Sequence, residues 1–314
     1  MRNLILSAIA ILTCFPSANA QTSQERKPLY DTTYIARPYG RLTLKARANL
    51  SGDGIHARGT VNDIYSKADL HTDNKLTFSI AAIYRGIAVG LAINPAKIFG
   101  HYNDYELNVN FYSTRLSVDA SYQRASSLSG DINRTGYFHL EEGQADMKVL
   151  NVAAYYCFNY RPFSYPAVFT QSYLQCRSAG SWLAGISFQG GTINTNTNDA
   201  PNLPDFRIKA QHLGIGGGYG YNFVIRDKWI FHLSALPTIV ILNYNNLTIN
   251  GERKKAQPIR LNMILNERMA IVYNLSSKYF LSLSGVMNNS IFDDDVVVVN
   301  QNKWRVRTAF GIRL

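Results

Sequence analysis

The last eleven residues, from Trp304 to Leu314, constrain the fold more than any other stretch. Successive side chains of an extended strand point to opposite faces, so alternating positions belong to different surfaces. One face is apolar apart from a threonine and consists of Trp304, Val306, Thr308, Phe310, Ile312 and Leu314. The other face carries three guanidinium groups and consists of Arg305, Arg307, Ala309, Gly311 and Arg313. This pattern is typical of a transmembrane β-barrel strand, which meets lipid on one face and the lumen on the other.

The first twenty residues have the layout of a secretory signal peptide. Arg2 precedes an apolar run, and the run is followed by the small-residue motif Ala18-Asn19-Ala20, so we predict cleavage before Gln21. Cys14 follows Thr13, which is a poor match to a lipoprotein cleavage site. No later stretch offers the roughly 18 consecutive apolar residues that a helical membrane span needs. Membrane insertion would therefore require strands.

The rest of the chain divides into a polar lead-in, residues 21–40, and a strand-rich region, residues 41–314. Short turns alternate in that region with long polar connections, and we expect an antiparallel all-β transmembrane barrel of about twelve strands, with ten or fourteen as alternatives. An even number places both termini on the short-turn side, which faces the periplasm. The predicted long loops are Ser51–Asn74, Pro95–Asp104, Ser126–Asp146, Gly190–Ile208, Asn243–Arg260 and Ser290–Asn302.

One join in this pattern is ambiguous. The chain is irregular from Tyr160 to Ser172, where Pro162 and Pro166 interrupt the alternation. If residues 167–177 formed a separate membrane strand, every later long loop would move to the short-turn side. We therefore predict that this stretch belongs to a single long connection.

The composition and net charge limit the classes of molecule that the protein is expected to contact. Hydrophobic residues make up 46% and charged residues 17% of the chain, with a formal net charge of +11. We expect contact with outer-membrane lipid and the phosphates of lipopolysaccharide, and we also consider small anionic solutes. The C-terminal strand is expected to engage the barrel-assembly machinery. The basic residues are dispersed, which disfavours nucleic acid, and no cofactor motif is evident.

The residues that face the lumen form the candidate site. The first and last strands become neighbours when a barrel closes, so their inward basic side chains should form one seam. This basic seam consists of Lys45, Arg47, Arg305, Arg307 and Arg313. The other polar candidates for the lumen are Glu106, Asn108, Asn110, Asp119, Asn151 and Arg268. Two interpretations remain open: a narrow, anion-preferring pore, or a lumen filled by ion pairs in a structural or surface-binding barrel.

A hydrolase is the alternative from another class. His232 and Ser234 lie two apart on a predicted strand and share its inward face, as in a serine–histidine lipid hydrolase of the outer membrane. No acid or amide partner for His232 is evident in the sequence. A secreted soluble β-sandwich is the third hypothesis.

Other chemically distinctive residues have simpler explanations. Asp293, Asp294 and Asp295 could bind a divalent cation, but a solvated loop tip is the preferred interpretation, and no metal site is expected. Cys157 and Cys176 fall on opposite phases, so we expect free thiols rather than a disulfide. Glu267 shares the phase of the outward apolar residues; a β-bulge that turns it inward beside Arg268 is the preferred interpretation, with a position near a rim or a subunit contact as the alternatives. The alternate glycines Gly214, Gly216, Gly218 and Gly220 leave room inside the barrel.

Several segments resemble a known family. These are Leu29–Ile35, Ile83–Gly90, Phe163–Ala167 and Gln175–Ser181. They resemble an uncharacterised family of secreted bacterial outer-membrane β-barrel proteins, classed as a domain of unknown function. The resemblance implies the fold and the location, but it carries over no substrate and no catalytic residue.

Overall fold

The computed structural model describes residues 28–38, 42–61, 64–84, 87–93, 104–133, 137–195, 205–249, 251–256, 261–295 and 297–314. The predicted signal peptide, residues 1–20, lies outside the described residues. Within them the chain forms eighteen strands and one five-residue helix. In this part of the chain, no helix has both the length and the apolar character needed to cross a membrane.

Strands dominate because apolar and polar residues alternate along most of the chain. The first nine are β1 Ile35–Ala36, β2 Leu42–Val61, β3 Ile64–His71, β4 Lys75–Tyr84, β5 Ile87–Ile93, β6 Tyr105–Tyr112, β7 Leu116–Ala125, β8 Ser129–Asn133 and β9 Tyr137–Leu140. The others are β10 Ala145–Cys157, β11 Leu174–Gln175, β12 Ala179–Thr195, β13 Phe206–Ile225, β14 Trp229–Ile249, β15 Glu252–Ala256, β16 Met263–Asn274, β17 Tyr279–Asp293 and β18 Val297–Arg313. The helix, α1, is Tyr165–Phe169.

Twelve strands close into a ring. In order, the ring consists of β2, β4, β5, β6, β7, β10, β12, β13, β14, β16, β17 and β18, and β18 pairs with β2. The closing ladder runs from Val297 opposite Gly59 to Arg313 opposite Thr43, and the Leu314 amide donates to the Leu42 carbonyl at 2.7 Å. The prediction of an antiparallel all-β barrel of about twelve strands is confirmed.

The outer face of the ring is apolar. Trp182 is 68% exposed and Leu233 63% exposed, values that would be costly for large apolar side chains in water. Aromatic side chains gather beside the short turns, where Trp229 packs on Tyr273 and Tyr279 stacks on Phe310. An apolar band bordered by aromatic residues is the surface that a barrel presents to a bilayer.

Where the structure describes them, the predicted long loops are wrong in detail, because the strands continue into them. The predicted loop Pro95–Asp104 lies outside the described residues except for Asp104. β2 has 20 residues and β14 has 21, about twice the length that crosses a bilayer. β3, β8, β9 and β15 also lie in segments predicted as loops, and they extend the sheet beyond the ring. Polarity misled the prediction, since a strand that projects out of the membrane keeps its ladder of hydrogen bonds without needing an apolar outer face.

The irregular connection folds into the barrel. We call residues Phe163–Gln175 the plug; it contains α1 and β11, and β11 pairs with β1 from the lead-in. Ser164 caps α1 by accepting a hydrogen bond from the Ala167 amide at 3.1 Å. Phe163, Tyr165 and Val168 are fully buried. The prediction of one long connection, rather than an extra membrane strand, is therefore correct.

Candidate functional site

We name the two ends of the barrel by their connections. The turn end holds the short turns, the plug and the last residue, and the loop end holds the strand extensions. The lumen contains three successive layers: the plug at the turn end, a belt of polar residues in the middle, and an apolar cavity at the loop end.

The five residues of the basic seam all lie on the lumen face, in the arrangement that the alternation predicts. Across the closing pair of strands, Lys45 lies opposite Gly311 and Arg47 opposite Ala309. Arg305 in turn lies opposite Ser51. These three cations therefore lie opposite small, uncharged residues of the neighbouring strand, which keeps like charges from meeting directly.

Two residues of the seam bind the plug. Lys45 Nζ donates to the Phe169 carbonyl at 3.0 Å and to the Gln171 side-chain oxygen. Arg313 Nε donates to the Gln171 carbonyl at 2.7 Å, and its other nitrogens reach Ser277 O and Asn274 Oδ1. Lys45 thus satisfies the last carbonyl of α1, where positive charge is favourable, and Arg313 satisfies the Gln171 carbonyl just beyond the helix.

A second part of the seam neutralises Glu106 in the belt. Arg305 Nη2 lies 2.5 Å and Lys303 Nζ 3.5 Å from the same Glu106 oxygen, and Ser51 donates to the other oxygen at 3.1 Å. Lys303 also faces the lumen, and so does buried Asp53, which accepts two bonds from Gln301 at 3.0 Å. Asp53 was not predicted to face the lumen, because Ser51–Asn74 was predicted to be a loop; in the structure the odd-numbered phase of β2 continues through Asp53.

Arg268 is the centre of the belt. It forms an ion pair with Asp119 and donates to Tyr112 Oη at 2.9 Å and to Tyr155 Oη at 2.6 Å. Its guanidinium also lies over the Phe169 ring of the plug, 5.5 Å from the centroid. A cavity of about 70 Å³ remains in the belt, and its lining includes the sequence-predicted Asn108, Asn110, Asn151, Arg305 and Arg307. A space of this size holds a few water molecules.

His232 and Ser234 are joined by a hydrogen bond, with 2.9 Å between Nε2 and Oγ. The structure also supplies the amide partner that the sequence did not reveal, because Asn222 Oδ1 lies 2.7 Å from His232 Nδ1. Asn222 Nδ2 donates to Ser164 O and Gln175 Oε1, both at 3.1 Å, which fixes its oxygen towards the histidine. In the neutral ring, Nδ1 then carries the proton and Nε2 accepts from the serine.

This Asn–His–Ser arrangement is covered by the plug. His232 is 3% and Ser234 4% exposed, and the rings of Phe163, Tyr165 and Phe169 lie within 6.1 Å of the His232 ring, measured between centroids. Asn222 was missed because it lies on the neighbouring strand, and only the register of β13 against β14 brings it opposite His232. The two hydrogen bonds from Asn222 Nδ2, to Ser164 O and Gln175 Oε1, also attach the plug to the barrel wall.

At the loop end, side chains from β2, β3, β8, β10, β12, β13, β14, β17 and β18 line a cavity of about 260 Å³, which we call the outer cavity. Its wall is mostly apolar, although lumen-facing residues of membrane barrels are usually polar. The apolar lining residues include Ile55, Leu70, Met147, Val149, Ile193, Ile208, Leu247, Phe292 and Val299. Sequence reasoning missed the outer cavity because these residues were assigned in part to loops.

The remaining predicted features need correction or stay predictions. Glu267 lies in unbroken register on the outer face of β16, so the predicted β-bulge is wrong; Asn289 donates to its carboxylate at 2.8 Å. Asp294 is buried and accepts from Asn243 at 3.2 Å and from Asn245, so the acidic run is not simply a solvated tip. No group of three or more metal-ligating acids, histidines or cysteines occurs among the described residues.

Solved structures of bacterial outer-membrane proteins align with most of the chain at low identity. The outer membrane protease OmpT of Escherichia coli aligns with 88% of this chain and 97% of its own, at 8% identity and a TM-score of 0.43. OprG of Pseudomonas aeruginosa aligns over 89% and 98%, at 10% identity and a TM-score of 0.33. No curated protein matches the sequence. A family model described as Domain of unknown function (DUF4421) matches residues 29–313, and the chain therefore belongs to that family.

Proposed function

We propose that the protein is a plugged, non-enzymatic barrel of the bacterial outer membrane, which binds a ligand at its loop end rather than conducting ions. The observation that carries the proposal is the anchoring of the plug by Lys45 and Arg313. Both cations are nearly fully buried, at 3% exposure each; Lys45 donates to Phe169 and Gln171 of the plug, and Arg313 donates to Gln171 of the plug, to Asn274 at the end of β16 and to Ser277 in the adjoining turn. Cations held in this way are not available to line an anion path.

The proposed orientation is supported by the connections between the strands. Short turns and both chain ends of a bacterial barrel face the periplasm, so the plug closes the periplasmic side and the outer cavity faces outward. The belt reinforces the closure, because its Arg268 and Arg305 are neutralised by Asp119 and Glu106.

The proposal is tested by loosening the plug without emptying the lumen. In proteoliposomes, we expect chloride efflux from the Lys45→Met/Arg313→Met double variant and none above background from the unaltered protein. Arg47→Met is the matched control, because it removes a cation from the same strand as Lys45. The Arg47 Nε has no hydrogen-bond partner among the described residues. Chloride efflux from the unaltered protein would favour the pore instead.

A second candidate function, lipid hydrolysis, is favoured by one observation. Asn222, His232 and Ser234 have the spacing of an amide–histidine–serine triad, in which the amide orients the ring and the ring activates the hydroxyl. Substrate could reach Ser234 only if the plug moved, since Phe163 and Tyr165 cover the site.

Phospholipid hydrolysis by the refolded protein decides between the two. Activity that Ser234→Ala abolishes, in a variant that still folds, would establish the hydrolase. If the unaltered protein and Ser234→Ala both show only background hydrolysis, the hydrogen bonds among Asn222, His232 and Ser234 serve to anchor the plug.

A further inference from the structure

The wall of the outer cavity carries an incompletely bonded polar cluster. His212 is 2% exposed, and its ring is stacked on Phe292 with 3.5 Å between centroids. Asn243 and Asn245 lie within weak hydrogen-bonding range of the ring, but neither nitrogen of His212 makes a hydrogen bond of good geometry to them or to any other described residue. Both amides donate to Asp294, and the side-chain oxygens of Asn243 and Asn245 likewise make no hydrogen bond of good geometry in the described part of the chain. Buried polar groups are costly unless bonded, so this wall is suited to a ligand that completes it.

The missing partner needs both a donor and an acceptor. A neutral imidazole offers one N–H and one free lone pair, and the Asn245 oxygen offers lone pairs only. A hydroxyl group can donate to one of these atoms and accept from the other. A carboxylate cannot donate, and the neighbouring Asp294 would repel it.

The rest of the outer cavity determines what carries the hydroxyl. Its 260 Å³ exceed the roughly 150 Å³ of an engineered apolar cavity that binds benzene, so a molecule of about ten non-hydrogen atoms would fit. Aliphatic and aromatic side chains line it, which favours an apolar body. We propose that the outer cavity binds a neutral lipophilic alcohol, with the hydroxyl at His212 and Asn245. This deepens the proposed function by naming the ligand class, and it rests on the closed lumen beneath.

The inference is tested by photolabelling of the refolded, full-length mature protein. The probe is a diazirine analogue of 1-octanol, and labelled residues are located by mass spectrometry. We expect labels on inward residues such as Met147, Val149 and Phe292. Excess 1-octanol should suppress them at a concentration about tenfold lower than octane or octanoate, as expected for a buried hydrogen bond.

Two variants separate the cavity from the lipid face. Ala210→Phe fills the outer cavity and should abolish the inward labels, whereas Ala46→Phe adds the same bulk on the exposed outer face and should leave them. His212→Leu should keep the labels but lose the preference for 1-octanol over octane. If Ala210→Phe does not fold, the competition pattern of His212→Leu still decides.

Labels confined to outward residues, or inward labels that are indifferent to His212→Leu, would overturn the inference. Either result can be told apart from failure of the plug, which is measured as chloride efflux and does not depend on the alcohol.

Discussion

Arg268 is the residue on which the belt depends most. It is 4% exposed and is shared by Asp119, Tyr112 and Tyr155. Arg268→Met leaves the Asp119 charge without its cation, and breaking such a buried pair costs about 3 kcal/mol. We expect that loss in the free energy of unfolding, measured in urea on the refolded protein.

The double variant Arg268→Met/Asp119→Asn supplies the control. Removing both charges should recover a substantial part of the loss, because no uncompensated charge remains. If the double variant were as unstable as the sum of the two single variants, Arg268 would not act through Asp119.

The two cysteines give a prediction for solution chemistry. The structure holds both as free thiols, with Cys157 buried, and partial burial raises the pKa of the Cys176 thiol. Since the thiolate is the reactive form, Cys176 should alkylate slowly at neutral pH and Cys157 only after unfolding. Mass spectrometry should find both thiols modified in denaturant without reductant. Failure to modify either would indicate a disulfide.

Individual side chains were predictable where alternation alone decides them. The inward position of Arg305 and Arg307 follows from the phase of one strand. Asn222 could not be paired with His232 in advance, because contact between strands depends on a register that no local pattern fixes. Glu267 was misplaced because the cost of an outward carboxylate was assessed without its partner Asn289.

At the scale of elements, the plug depends on space left by β13. A side chain at Gly220 would place its Cβ 3.2 Å from the Phe163 ring and 3.1 Å from the Ser234 Cβ. Gly220→Val should therefore displace the plug away from β13, since overpacking of this kind costs about 1–3 kcal/mol. We expect faster chymotrypsin cleavage after Phe163 and Phe169.

Gly217→Val is the matched control on the same strand. A Cβ there meets only the Leu183 carbonyl, at an ordinary 3.5 Å, so cleavage should match that of the unaltered protein. Equal cleavage of the Gly220 and Gly217 variants would show that the plug does not need this space.

The sequence predicted that residues 160–177 form one connection, but not that it turns into the lumen. Its prolines indicate irregular backbone, and they are equally compatible with a loop that projects into solvent. The inward fold is stabilised by residues distant in sequence, among them Lys45 and Arg313. The expectation that the β13 glycines make room inside agrees with the position of Phe163 against Gly220.

At the scale of the whole molecule, the ring followed from the alternation of many strands, and its closure follows from the match between β2 and β18. The height of the barrel could not be predicted from the alternation, because β2 and β14 continue past the apolar band as polar strands. The outer cavity was hidden for the same reason. Its apolar residues lie in extensions whose inward face could be recognised only once the strands were paired.

The most direct test of the plugged lumen is the single-channel current of the unaltered protein in a planar bilayer, with a salt gradient across it. The plug and the ion-paired belt predict a folded, heat-modifiable barrel that inserts but passes no discrete current. Discrete, anion-selective steps that shrink in an Arg305→Ala/Arg307→Ala variant would contradict the account and establish a pore.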